Sequence, residues 1–178
     1  RDRRGTAADA QTRSPRRHRP AVMPETAVTP ERRPLRTIAA AGTICGILDG
    51  LSAIVLFGWL GATPAQVFQG IARGAMGRAA LAGGTVAVIV GVIAHFTVAF
   101  GAASTYYGLS RLKPGINEHP LVAGPLYGAA VHLFMTFVVI PLSAIGPRPI
   151  VWPVFLSVLV AHLVVVGPSI AITVSRLR

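Results

Sequence analysis

The sequence predicts an all-α, polytopic membrane protein: four transmembrane helices, with a short interfacial amphipathic helix between the first two. Three observations point there. Charged residues make up 13% of the chain against 52% hydrophobic, whereas a soluble domain carries about 25% charged residues. Four apolar stretches each supply the ~20 helical residues that a bilayer core requires. Asp49 is the only formally charged side chain inside those stretches.

At 178 residues the chain is one domain by length, preceded by a basic tail. Residues 1–36 hold ten arginines and four acids, and their Arg, Pro, Ala and Thr content buries too little apolar surface to order them. Met23-Pro24-Glu25-Thr26 reads as a translation start, which would make residues 1–22 an upstream addition; the alternative is a disordered arm on anionic lipid. A pI near 11.7 would suggest nucleic acid in a soluble protein. Here most of the excess lies beside a span and reads as a topology signal instead, so no nucleic-acid partner is expected.

The spans are 37–60, 84–109, 121–140 and 151–174. With the N-terminus inside, Arg32, Arg33, Arg36, Arg111, Lys113, Arg176 and Arg178 are cytoplasmic, against Arg73, Arg78 and Arg148 outside. Seven against three places both termini in the cytoplasm. Trp59 and Trp152 then lie at the outer interface, with Tyr106 and Tyr107 near the inner one. Between the first two spans, Thr63-Pro64 reads as an N-cap followed by proline at the first helical position. Val67, Phe68, Ile71 and Ala75 form an apolar stripe opposite Gln66, Gln69 and Arg73, as in a helix lying in the outer interface. Gly70, Gly74 and Gly77 leave a re-entrant segment as the alternative. Pro120 opens the third span and Pro141 closes it, while Pro125 and Pro168 bend their helices.

Polar groups share faces with small residues. Gly42, Gly46 and Gly50 repeat every four residues, a spacing that lets helix backbones approach closely in lipid, and Asp49 shares their face. Gly124, Gly128, His132 and Thr136 repeat the arrangement in the third span; Gly91, His95 and Ala99 do so in the second. His162 shares a face with Val158, Val166 and Ser169. At 1.5 Å rise per residue, Asp49, His95, His132 and His162 each lie roughly 17–18 Å into their spans, near the bilayer centre. Ala41-Gly42-x-x-Cys45-Gly46 echoes Ala123-Gly124-x-x-Tyr127-Gly128, and Ala94-His95 echoes Ala161-His162, suggesting two parallel helical hairpins.

One carboxylate and three imidazoles at one depth are a candidate polar cluster. The leading reading is structural: a histidine satisfies a carbonyl or hydroxyl across a helix interface, in a structural or regulatory membrane subunit. The second is a proton or cation site in a small transporter-like or channel-like protein. The third is metal or haem ligation, although no His-x-x-x-His or Glu-x-x-His stands on one helix. Whether a metal binds is left open, no cofactor is required, and lone Cys45 reads as a packing residue. No nucleophile elbow, phosphate loop or paired carboxylates occur, so the chain is not read as an enzyme. The bilayer is the expected partner. The Gly42-Gly46-Gly50 face suits either a second copy or packing within the chain.

One further pattern stands out. A His-bearing span ending in Tyr106-Tyr107 leads through a basic loop to Leu126-x-Gly128-x-x-x-His132-x-x-Met135, then Pro141-Leu142-Ser143 and a last His-bearing span. Over residues 84–178 this resembles the YagU-type family of bacterial inner-membrane proteins. The resemblance implies a multi-pass inner-membrane location and no particular chemistry.

Overall fold

The computed structural model describes residues 34–177. The expected basic tail, the start at Met23, and the flanking Arg32, Arg33 and Arg178 lie outside the described residues. Four helices are long and apolar enough to cross a membrane: α1, Pro34–Trp59; α3, Gly84–Leu112; α4, Pro120–Leu142; and α5, Trp152–Leu177. Between the first two lies α2, Pro64–Met76, followed by a 3-10 turn over Gly77–Ala82. The chain is thus an all-α, multi-pass membrane protein.

The side chains are distributed as lipid solvent requires. Leu51, Val55, Ile93, Leu126 and Phe137 all point outward and are more than half exposed. The buried positions of α1 are small: Thr37, Ala41, Gly42, Cys45, Gly46 and Gly50. A water-soluble bundle would invert this pattern, because large apolar patches facing water are rare. In lipid there is no hydrophobic force between helices, so small residues that permit close backbone contact drive association instead.

Helix ends follow local chemistry. α1 begins at Pro34, so residues 34–36, read with the tail from sequence, are helical. It ends in a Schellman motif: Ala62 N donates to Phe57 O and Gly61 N to Gly58 O, with Gly61 at φ +87°. Two residues later Thr63 caps α2 as expected. Its Oγ1 accepts from Gln66 N at 3.3 Å, while Gln66 Oε1 accepts from Thr63 N at 2.8 Å. The α2 helix packs along α3, where a methyl on Gly91 would overlap the Phe68 carbonyl. Ala72, Ala80 and Ala87 form a small core there.

The first turns of α1 and the last turn of α5 meet at the other end of the bundle, where Thr37 Oγ1 donates to Leu177 O at 3.2 Å. The spans pack in the order α3, α1, α5, α4. Contact between α3 and α4 runs through Tyr127, whose hydroxyl donates to Ala102 O at 2.6 Å and whose ring meets Tyr106 edge-on at 5.0 Å. The main core, in the half near the termini, brings together Ala41, Cys45, Ala99, Ala103, Tyr106, Val166, Ile170, Ala171 and Val174.

Two helices deviate from regular α geometry. A π turn runs over Met135–Val139 in α4 and another over His162–Val166 in α5. Each stops two residues before a proline, Pro141 or Pro168. Proline cannot donate to the carbonyl four residues back and crowds it; widening to five-residue bonds accommodates the defect. Pro141, expected to close the third span, instead lies within its last turn, which runs to Leu142. The bend expected at Pro168 is expressed as this π turn, while Pro125 lies within regular helix.

Candidate functional site

The four mid-span ionisable groups fall into two pairs, each within one helical hairpin. Gly46 and Gly50 leave room on α1 for α3, and His95 fills it. Its Nε2 donates to Gly46 O at 2.8 Å, and a methyl on Gly50 would stand 3.4 Å from the same nitrogen. The other ring nitrogen, Nδ1, stands 4.0 Å from Asp49 Oδ2. His95 is 8% exposed and Asp49 26%. Phe68 from α2 and Phe96 from α3 stand edge-on to the imidazole at 6.1 and 5.5 Å. Ser52 Oγ donates to Asp49 O at 2.8 Å and lies 3.5 Å from its Oδ1.

The second pair joins α4 to α5. His132 is 4% exposed, and its ring centre is 5.1 Å from that of His162 and 4.6 Å from Phe155. His162 opens the π turn of α5, and its Nδ1 donates to Val158 O at 2.9 Å, one turn back. His132 Nε2 is buried with no hydrogen-bond partner. Phe155 is boxed in turn by Phe137 at 6.3 Å and Trp152 at 5.7 Å.

The candidate cluster of Asp49, His95, His132 and His162 is two pairs in the structure. Among the described residues, no three His, Cys, Asp or Glu side chains gather where they could hold a metal ion. The physical reason is the way the glycine stripes are used. The α1 stripe docks on α3 and the α4 stripe on α5, so each histidine lies within its own hairpin.

The glycine stripes lie where the sequence placed them, and their contacts are within the chain. A methyl on Gly42 would overlap the Phe100 ring, and one on Gly46 would come within 2.6 Å of Phe96. On α4, Gly124 meets the backbone of Pro168, and Gly128 meets the carbonyl of His162. Gly167, which sequence reasoning missed, completes that crossing against Gly124 and Gly128. The Gly167-Pro168 pair within an apolar run was its available signal. The Tyr127–Ala102 bond was also missed, since nothing in the local pattern aims a tyrosine at a carbonyl on another span.

The internal echo can be set against the contacts that its residues make. Gly46 corresponds to Gly128, Gly50 to His132, and His95 to His162. Gly46 and Gly50 both contact His95, and Gly128 and His132 both contact His162. The contacts differ in kind: Gly46 O accepts from the His95 side chain, whereas Gly128 meets the backbone carbonyl of His162. The added group differs as well: a carboxylate at Asp49 in the first hairpin, a second imidazole at His132 in the other.

No family model matches the chain, and neither a curated protein nor a solved structure matches it, so the functional reading rests on this geometry.

Proposed function

We propose that this chain is a structural or regulatory subunit of a bacterial inner membrane, with both termini cytoplasmic and no catalytic role. The carrying observation is the His95–Gly46 bond at 2.8 Å, in which a mid-span ionisable side chain ties one helix backbone to another. A polar side chain in hydrocarbon needs a partner, and here the partner is the neighbouring span. The positive-inside count supports the orientation. Kinship with the YagU-type family belongs to the same proposal and rests on the motifs between Tyr106 and His162. The bilayer is the first partner. Because α3 occupies the Gly42-Gly46-Gly50 stripe, a homo-oligomer would form through α4, whose outward face carries Leu126, Leu133 and Phe137. Reconstitution of Asp49→Asn and His95→Gln tests the role. Lower yield and thermal stability with unchanged proton and cation flux is expected; abolished flux in a stably folded variant would replace this role with transport.

One observation favours a second reading, a proton site. His95 Nε2 must carry a hydrogen to donate to Gly46 O, so Nδ1 faces the Asp49 carboxyl either bare or protonated. A bare lone pair beside a carboxylate is repulsive, and a proton on either Asp49 or His95 would relieve that repulsion. Either form is net neutral, which lowers the cost of placing the pair in lipid. A transporter would exchange that proton, and dye-reported acidification of proteoliposomes that disappears in Asp49→Asn would establish it.

A further inference from the structure

The His132–His162 pair has a donor arrangement that packing does not use up. The His162 imidazole donates through Nδ1 to Val158 O, so its Nε2 presents a lone pair. This is the orientation that backbone carbonyls impose on metal-ligating histidines. His132 offers a second nitrogen, Nε2, which is buried and unpartnered. The rings are 5.1 Å apart centre to centre, yet His132 Nε2 closes no hydrogen bond to its neighbour, so a bare proton is not shared directly between them. A metal ion bonded to one nitrogen of each imidazole would join the two rings instead.

Donor number and charge then select the ion. Among the described residues no third His, Cys, Asp or Glu joins the pair, which leaves tetrahedral zinc short of ligands. The only acids in residues 34–177 are Asp49, facing His95, and exposed Glu118, so a divalent charge here would lack compensation in a low-dielectric interior. Calcium and magnesium need oxygen ligands. A soft monovalent ion accepts two donors and brings a single charge. Copper(I) is the one of this class that imidazole suits. Met135 stands three residues on from His132, at the start of the π turn of α4.

We propose that His132 and His162 form a buried two-imidazole site for copper(I). The site goes beyond the structural role of the Asp49–His95 hairpin and does not depend on it. The test is titration of the full chain in detergent micelles, under reducing conditions, with copper(I) supplied from a chromogenic chelator, alongside zinc(II) as competitor. One tight equivalent is expected, insensitive to zinc. His132→Leu and His162→Leu should each weaken binding by about tenfold or more, whereas His132→Met, which retains a soft donor, should keep it. Copper(I) should also raise the melting temperature of the wild type and of His132→Met, which decides the matter even where a leucine variant fails to fold. No uptake by folded wild type, displacement by zinc, or equal binding by a folded leucine variant would overturn the proposal. So would a pH-dependent shift of the His132 ring resonances without metal uptake, which would assign the pair to a proton.

Discussion

At the scale of single residues, glycine does most of the positioning. Gly128 and Gly167 allow two helix backbones to touch beside His162, where no side chain fits. Gly101 and Gly108 face open space on α3. Adding one methyl separates these two classes. Gly128→Ala or Gly167→Ala is expected to cost about 1–3 kcal/mol through forced backbone displacement. Gly101→Ala should be neutral or stabilise by up to ~1 kcal/mol, because alanine is the better helix former. Reversible unfolding in micelles checks both. The glycine stripes were readable as a four-residue spacing. Their occupants were not, because Phe96 and Phe100 belong to another span and no local pattern aims them at Gly46 and Gly42. For the same reason the sequence located Asp49, His95, His132 and His162 at one depth but did not sort them into pairs. Depth follows from position along one helix, whereas pairing follows from which helices are neighbours.

At the scale of elements, the ends of α1 and α2 are written locally. Gly61 needs a positive φ for the Schellman turn, and Thr63 with Gln66 closes the capping box. Thr63→Ala should destabilise α2 by about 1 kcal/mol. Faster amide exchange confined to residues 63–76 is the expected readout, and uniform exchange across α3 would show that the cap matters beyond its own helix. The π turns are a different case. Pro141 and Pro168 were visible, but the form of the local defect was not. A proline-containing helix can kink, end or widen, and the choice depends on how α4 and α5 cross at Gly124, Gly128 and Gly167. Replacing Pro168 with alanine restores a donor at that position. The expected result is relaxation of His162–Val166 toward regular helix, seen as a changed His132–His162 contact by crosslinking or ring-resonance shifts.

At the scale of the whole molecule, composition sufficed for the fold class, because few charges and four long apolar runs leave little else that buries the backbone. The order α3, α1, α5, α4 required the structure. Topology is open to direct test. In a Cys45→Ala background, Glu118→Cys and Arg148→Cys place single thiols on the loops before α4 and before α5. Opposite labelling by an impermeant reagent is expected, with Glu118→Cys protected in intact cells. The proposed role joins α1 to α3 through His95, whose Nδ1 stands 4.0 Å from Asp49 Oδ2, and a double-mutant cycle in bicelles measures the Asp49–His95 coupling. Asp49→Asn, His95→Leu and the double variant would be unfolded alongside wild type. Interhelical polar contacts of this kind couple by about 0.6–1.7 kcal/mol. The double variant should therefore lose less stability than the two single losses combined, by about that amount. Strict additivity would contradict a pair that holds the first hairpin together.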